Sequence, residues 1–304
     1  MHTYTMTRLS DSFCTADFRG DCAFDRFLAA GGAATEEEVT DFVRPFLDKP
    51  EGLDLRVNGM GCSTLQARGR DGRIFGRNFD WDDCPLLVLT AHPSTGYDSI
   101  STVNLDFITK RYGTLSDRDL LIASHYAPLE GMNQRGLCLS VNLLPNGMAL
   151  CQDTGKPKLT ITTAIRLLLD RAANVDEALD LLNSYDIGTS TGLTVHYLLS
   201  DAAGRSVCVE FIHNVLSAVD TPVMTNHYMT PGPYFGQARN NSLDRFRQLT
   251  EFLAQHPVTD IEGVLEAMRS VHHGTQWTAV YDQSALTADL YHKSRPDTPL
   301  HLSI

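Results

Sequence analysis

The sequence predicts an α+β fold built in layers, and three observations carry that reading. Strand and helix signals come in blocks instead of strict βαβ alternation, which argues against a doubly wound sheet. Two hairpins are legible, one turning at Asp71-Gly72 and one looping through Gly204. Amphipathic helical stripes sit between and after these strand blocks. With 304 residues, 42% of them hydrophobic and 20% charged, the chain has ordinary globular composition and can bury a sizeable core, as one large domain or two small ones.

In order along the chain, Thr35 followed by Glu38 reads as a capping box, with Val39, Phe42, Val43, Phe46 and Leu47 forming the apolar stripe of a helix that Pro50 and Gly52 end. Residues 53–61 are turn-rich near their end and mark a boundary just before Cys62. From Ser63 the run STLQAR, the Asp-Gly pair and RIFGRNFDW read as a hairpin, because Asp-Gly accepts the positive φ of a tight turn. Strands are expected at 86–91, 99–108, 119–125 and 137–143. Helices follow at 160–171 and 175–184, each with one apolar face, as an antiparallel pair. TVHYLLSD and RSVCVEF form the second hairpin, with short strands near 214–219 and 222–225. Helices at 242–256 and 259–272, the latter opened by a Thr259 to Glu262 capping box, lead to closing strands at 277–282 and 287–292. No internal repeat is present.

Charge and cysteine usage narrow the function. Lys and Arg number 25 against 37 Asp and Glu, a formal charge of −12, so a nucleic-acid partner, which needs a basic face, is not expected. The first residues lack the basic start and apolar core of a secretion signal, and no stretch of 18 apolar residues occurs; no membrane partner is expected, and the location expected by default is cytoplasmic. Seven cysteines without CxxC pairs indicate neither a disulfide framework nor a zinc ribbon. His272-His273 and His292 show no HExxH spacing, so a metal site has little support.

The informative run is Gly59-Met60-Gly61-Cys62-Ser63-Thr64, followed by Gly76-Arg77-Asn78-Phe79-Asp80-Trp81. It unites a candidate nucleophile, an arginine and a carboxylate. The hairpin brings them together, because Cys62 opens the first strand while Arg77 and Asp80 lie near the end of the second. Here the sequence resembles the choloylglycine hydrolases, a family of N-terminal-nucleophile (Ntn) hydrolases. Bile salt hydrolases and penicillin V acylases belong to it, and acid ceramidase and N-acylethanolamine acid amidase are more distant relatives. The likeness extends through Glu130-Gly131-Met132-Asn133 and Gly136-Leu137 to Asn142, then to Thr225-Asn226 and to Arg245-Phe246 at a helix start.

The resemblance implies a four-layer αββα sandwich over 62–304, two stacked antiparallel sheets with outer helices, preceded by a mainly helical prosegment of residues 1–61. It also implies that Cys62 attacks the Gly61 carbonyl and frees its own α-amine, leaving 243 of the 304 residues in the mature chain. A free thiol, with pKa about 8.5, is mostly protonated at neutral pH, and an α-amine near 7.7–8.0 can serve as its base. Asp80 would orient amine and thiol. Arg77 and Arg245 would supply positive charge, and Asn142 and Asn226 would donate N–H groups to the oxyanion. The reaction expected is hydrolysis of a small-molecule N-acyl amide through a Cys62 thioester, with no metal or organic cofactor.

Acyl transfer from the same thioester, or a non-catalytic binding protein retaining the fold, are the alternatives. Bile acid conjugates, penicillin V, N-acylethanolamines and acyl homoserine lactones all present a similar amide. Six of the 13 phenylalanines (13, 18, 24, 27, 42 and 46) precede Cys62, so the prosegment is expected to pack on the body and cover the acyl pocket before cleavage, and then to be either removed or retained as a small subunit. A homo-oligomer is possible by base rate.

Overall fold

The structure, a computed structural model, describes residues 2–56, 61–109, 114–145, 149–189 and 191–304. The chain opens with β1 (Thr3–Ser10), β2 (Phe13–Arg19), α1 (Phe24–Ala29) and α2 (Glu36–Val43). The central hairpin follows as β3 (Gly61–Arg68) and β4 (Arg73–Asp80), then β5 (Leu86–His92), β6 (Ser99–Asn104), α3 (Asp117–Ser124), β7 (Glu130–Asn133) and β8 (Cys138–Leu143). Next come β9 (Lys158–Thr160), α4 (Ile161–Arg171), α5 (Val175–Asn183), β10 (Asp186–Gly188), β11 (Val195–Ser200), β12 (Ser206–Ile212), β13 (Val215–Asp220) and β14 (Val223–Met224). The chain closes with α6 (Ser242–Gln255), α7 (Ile261–Ser270), β15 (Thr275–Asp282), β16 (Thr287–His292) and β17 (Leu300–Ser303).

Two large sheets form the centre. One runs β1-β2-β5-β6-β7-β8-β11-β12-β13 and the other β14-β3-β4-β15-β16-β17. Helices α6 and α7 cover the six-stranded sheet through Leu65, Ile74, Leu249, Val264 and Met268, while α4 and α5 pack behind β7 and β11 of the nine-stranded one. The order is therefore helix, sheet, sheet, helix, the expected αββα sandwich. The strands β5, β6, β8, β11 and most of β3 and β4 are buried on both faces; β5 reads as a continuous apolar run, whereas β3, β4 and β6 bury Thr, Gln, Asn and Arg side chains that hydrogen-bond inside the sandwich.

Several expectations need correction. The segment ahead of Cys62 is not mainly helical: β1 and β2 form a hairpin, and β2 pairs with β5 in parallel, an exception to the antiparallel pairing of the two sheets. Residues 119–125 are not a strand but the body of α3, capped by Ser116, whose hydroxyl accepts the Asp119 N–H. A short apolar run buried on all sides looks the same in either state. Residues 105–107 turn into a 3-10 helix instead of extending β6. Asp260, not Thr259, caps α7, accepting the Gly263 N–H at 2.9 Å.

The β3–β4 loop is also not a two-residue turn with positive φ. Gly69 and Gly72 close a four-residue loop by a backbone bond of 2.9 Å, and Gly72 is not among the positive-φ glycines. A side chain there would run into Ser284, which accounts for the glycine. Strands β7 and β17 went unanticipated because each is only four residues long.

The opening segment is woven into the body. Phe24, Phe27 and Phe42 surround Tyr126 with ring centroids 5.5 to 6.3 Å away, and the Tyr126 hydroxyl donates to the Cys22 carbonyl at 2.7 Å. The Asp119 carboxylate accepts the N–H groups of Asp48 and Lys49, and Asp54 N and Arg56 N bond the carbonyls of Ile108 and Phe107. Among the described residues, no helix is long and apolar enough to cross a membrane.

Candidate active site

The β3–β4 ladder builds the centre of the site. Its register sets Cys62 opposite Phe79, Gly61 opposite Asp80 and Thr64 opposite Arg77. Directly opposed residues share a face, and faces alternate along a strand. Cys62 and Arg77 therefore point between the two sheets, while Asp80 and Ser63 point toward α6 and α7. Thiol and carboxylate therefore leave opposite faces of the ladder at its Cys62 end. Gly59 and Met60, which open the sequence motif, and the boundary residues 57–60 lie outside the described residues.

Cys62 has no solvent exposure and every polar group of it is engaged. Its N–H donates to Asn226 Oδ1 at 3.0 Å, its carbonyl accepts from Arg245 Nη1 at 2.8 Å, and Arg77 Nη2 donates to Sγ at 3.1 Å. Burial pushes the thiol up to about 11, outweighing the opposing pull of Arg77. In this closed, uncut chain the sulfur holds its proton at neutral pH.

Arg77 is fully buried and its charge is shared. Nη1 donates to Glu130 Oε2 at 2.7 Å, and Nη2 also donates to the Val141 carbonyl at 2.9 Å. The other oxygen of Glu130 accepts from Thr102 Oγ1 and Trp277 Nε1, both at 2.9 Å. Phe79 and Trp277 stack at 4.0 Å in the core beside this network. Glu130 stood in the quoted motif but was given no role, since sequence spacing alone does not reveal that β7 lays it under Arg77.

On the helix side, Asp80 Oδ1 accepts from Thr275 Oγ1 at 2.6 Å, and Oδ2 lies 3.6 Å from Arg245 Nη1. Burial raises the Asp80 carboxyl from 3.8 to about 6, against the lowering bond from Thr275 and the charge of Arg245. Arg245 reaches in from the first turns of α6. Besides the Cys62 carbonyl it donates to Ser63 Oγ at 2.6 Å, to Asn226 Oδ1 at 2.8 Å and to the Asn240 carbonyl at 3.1 Å.

The two asparagines differ in this state. Asn226 touches the nucleophile directly, but through its carbonyl oxygen, and its Nδ2 donates to the Leu143 carbonyl at 2.7 Å. Asn142 is buried in β8 with Nδ2 at 3.4 to 3.5 Å from the carbonyls of Thr225 and Met224. Five of the six residues proposed from sequence thus form one bonded cluster around Cys62, and Asn142 lies behind it against Thr225.

A sandwich of two sheets between helices, with a cysteine at the head of a central strand and Arg, Asp and Asn gathered on it, is the architecture of Ntn hydrolases. Residues 67–296 match the family model described as acyl-coenzyme A:6-aminopenicillanic acid acyl-transferase, and the chain belongs to that family. A curated relative, bile salt hydrolase/transferase of Clostridium perfringens, is 24% identical over 209 residues; the match covers 63% of this chain and 60% of the relative's length. Among solved structures, penicillin V acylase from Agrobacterium tumefaciens superposes with TM-score 0.57 at 21% identity, covering 79% of this chain and 84% of that one. Conjugated bile acid hydrolase from Clostridium perfringens gives TM-score 0.59 at 13% identity, covering 80% and 92%. These likenesses establish the fold and bear out the resemblance to choloylglycine hydrolases.

Proposed function

We propose that this protein is a self-processing cysteine hydrolase of linear N-acyl amides. The observation that carries the reading is the buried Cys62, held by its nitrogen to Asn226, by its carbonyl to Arg245 and by its sulfur to Arg77. In the first reaction the Cys62 sulfur, as its proton leaves toward the Asp80 side, attacks the Gly61 carbonyl carbon. The Gly61–Cys62 C–N bond breaks, its nitrogen takes up a proton to become the Cys62 α-amine, and water hydrolyses the remaining thioester. Gly61 lacks a Cβ, which would meet the Asp80 carbonyl oxygen at 3.2 Å and Asn240 Nδ2 at 3.3 Å, so the approach stays open.

In the second reaction the freed amine takes the thiol proton and passes it to the leaving amine of the substrate, while the acyl group forms a thioester that water resolves. Asn226 and Asn142 would then turn N–H donors toward the oxyanion, exchanging the carbonyl partners they hold now. The segment ahead of Cys62 stays bound as a small subunit, because β2 supplies a strand of the nine-stranded sheet. The enzyme works in the cytoplasm on a small N-acyl amide.

A second reading, transfer of the acyl group to an amine, is favoured by the description of the matched family and by the transferase in the curated relative's name. The deciding experiment is intact mass of the wild type beside Cys62→Ala. Two fragments divided at Gly61/Cys62, with the mutant whole at 33.6 kDa, support the proposal; an uncut wild type at neutral and mildly acidic pH overturns it. Product analysis with added amine acceptors then separates hydrolysis from transfer.

A further inference from the structure

Behind Asn226 lies a fully buried polar cluster that the proposed reaction does not use. His196 of β11 and Cys208 and Glu210 of β12 hold Nδ1, Sγ and a carboxylate oxygen within 4.8 Å of one another. The Thr225 carbonyl oxygen sits 2.7 Å from His196 Nε2; a carbonyl can only accept, so Nε2 carries a proton. Nδ1 faces Glu210 Oε1 at 3.2 Å.

That carboxylate also accepts the backbone N–H groups of Met229 at 2.7 Å and Thr230 at 2.8 Å. Burial alone would push it up, yet the bonds from His196, Thr230 and Met229 hold Glu210 down to about 2, so it is ionised. The ring thus bridges Glu210 on its Nδ1 side and the Thr225 carbonyl on its Nε2 side. Of the other groups near the ring, the Cys208 thiol, 3.4 Å from Nδ1, is raised well above its usual range by burial and by Glu210 and stays neutral. His227 is lowered to about 4, chiefly by burial and then by His196.

Thr225 directly precedes Asn226, the residue holding Cys62 N–H and Arg245, and its carbonyl is also the one that Asn142 Nδ2 approaches at 3.4 Å. His196 stands opposite Asn142 in the β8–β11 ladder. We propose that His196, held between Glu210 and the Thr225 carbonyl, is a positioning residue that fixes that carbonyl and thereby sets Asn226 against Cys62, with Asn142 behind it. Its consequence for catalysis rests on the cysteine-hydrolase reading; its consequence for the Cys62 N–H bond does not.

The test uses the full chain carrying Cys62→Ala, which keeps the protein uncut, with His196→Gln, Glu210→Gln or Cys208→Ala added. Hydrogen exchange of the residue 62 amide and of residues 225–227 is followed, with β15 amides and the melting temperature as controls. His196→Gln and Glu210→Gln should speed exchange at these positions by about tenfold or more, the loss of one charge-assisted bond, while β15 is unchanged; Cys208→Ala should stay within about twofold of its parent. In chains with Cys62 intact, the same two variants should slow self-cleavage about 10- to 100-fold. Faster exchange without self-cleavage in any chain would sustain the positioning role and sink the hydrolase reading. Unchanged exchange in both variants would overturn the proposal, as would one zinc per chain by elemental analysis that disappears in Cys208→Ala.

Discussion

Gly61 and Asp80 face each other across the β3–β4 ladder, which lays the carboxylate beside the peptide that leads into Cys62. Asp80 Oδ2 is buried without a hydrogen bond among the described residues, 3.6 Å from the Arg245 guanidinium. This oxygen is open to a proton arriving from the thiol or to the α-amine that cleavage would create, and keeping it charged in the core has a stability cost.

Asp80→Asn should therefore stabilise the uncut chain at neutral pH while blocking self-cleavage. Burial lifts the folded carboxyl from 3.8 to about 6, so between those values the native state holds more protons than the unfolded one and stability falls as pH rises. The penalty is complete above pH 6 and amounts to about 3 kcal/mol. Urea melts of Cys62→Ala and of Cys62→Ala/Asp80→Asn should differ by up to that amount at pH 7.5 and converge below pH 4; equal curves at both would refute the assignment. Self-cleavage of the wild type should speed up as pH rises through about 6.

Arg77 and Glu130 form a fully buried pair, so removing one partner strands the other. Arg77→Met is expected to cost about 3–5 kcal/mol in denaturant melts. Adding Glu130→Gln should recover much of that stability without restoring self-cleavage, because the donor to Cys62 Sγ is gone. Recovery of both would mean that Arg77 acts only as a structural counter-ion.

How far the sequence reached depended on the range of the information needed. The hairpin carrying Cys62, Arg77 and Asp80 was legible because its residues lie within twenty positions and its register follows from a local turn, even though the turn itself has a different shape. Asn226 and Arg245 came only through the family resemblance, since their places depend on β14 and α6 folding back onto β3. Glu130, His196 and Glu210 gave no local signal: a carboxylate or imidazole in a strand becomes meaningful only when the neighbouring strand is known. The hairpin of residues 3–19 was missed for the same reason, as β1 is largely exposed and polar and β2 finds its partner some seventy residues away.

Asn226 and Asn142 should separate in kinetics. Asn226→Ala removes the acceptor of Cys62 N–H and a partner of Arg245, and should slow self-cleavage by about 10²–10³-fold, the scale of a lost donor at a reacting centre. Asn142→Ala, whose nearest bonds are 3.4 Å or longer, should cost less in this step and more in turnover of amide substrates. Equal effects of the two on self-cleavage would contradict this division.

Gly76 gives a control outside the chemistry. A Cβ there would lie 2.7 Å from Val264 Cγ1 and 3.0 Å from Met268 Cγ, so β4 and α7 would be forced apart. Gly76→Ala should lower stability by about 1–3 kcal/mol, read from thermal or urea melts. A neutral outcome would show that α7 can shift on the sheet.

The parallel ladder from Phe13–Leu86 to Arg19–His92 ties the chain's beginning to a strand beyond Cys62. While the chain is whole, the encounter of these two strands is unimolecular, and its rate is independent of protein concentration. A break ahead of Cys62 would turn the same encounter into a meeting of two molecules. The intact chain would then refold from denaturant with first-order kinetics, whereas the processed protein would refold ever more slowly on dilution, so that its history is written in the order of its folding reaction.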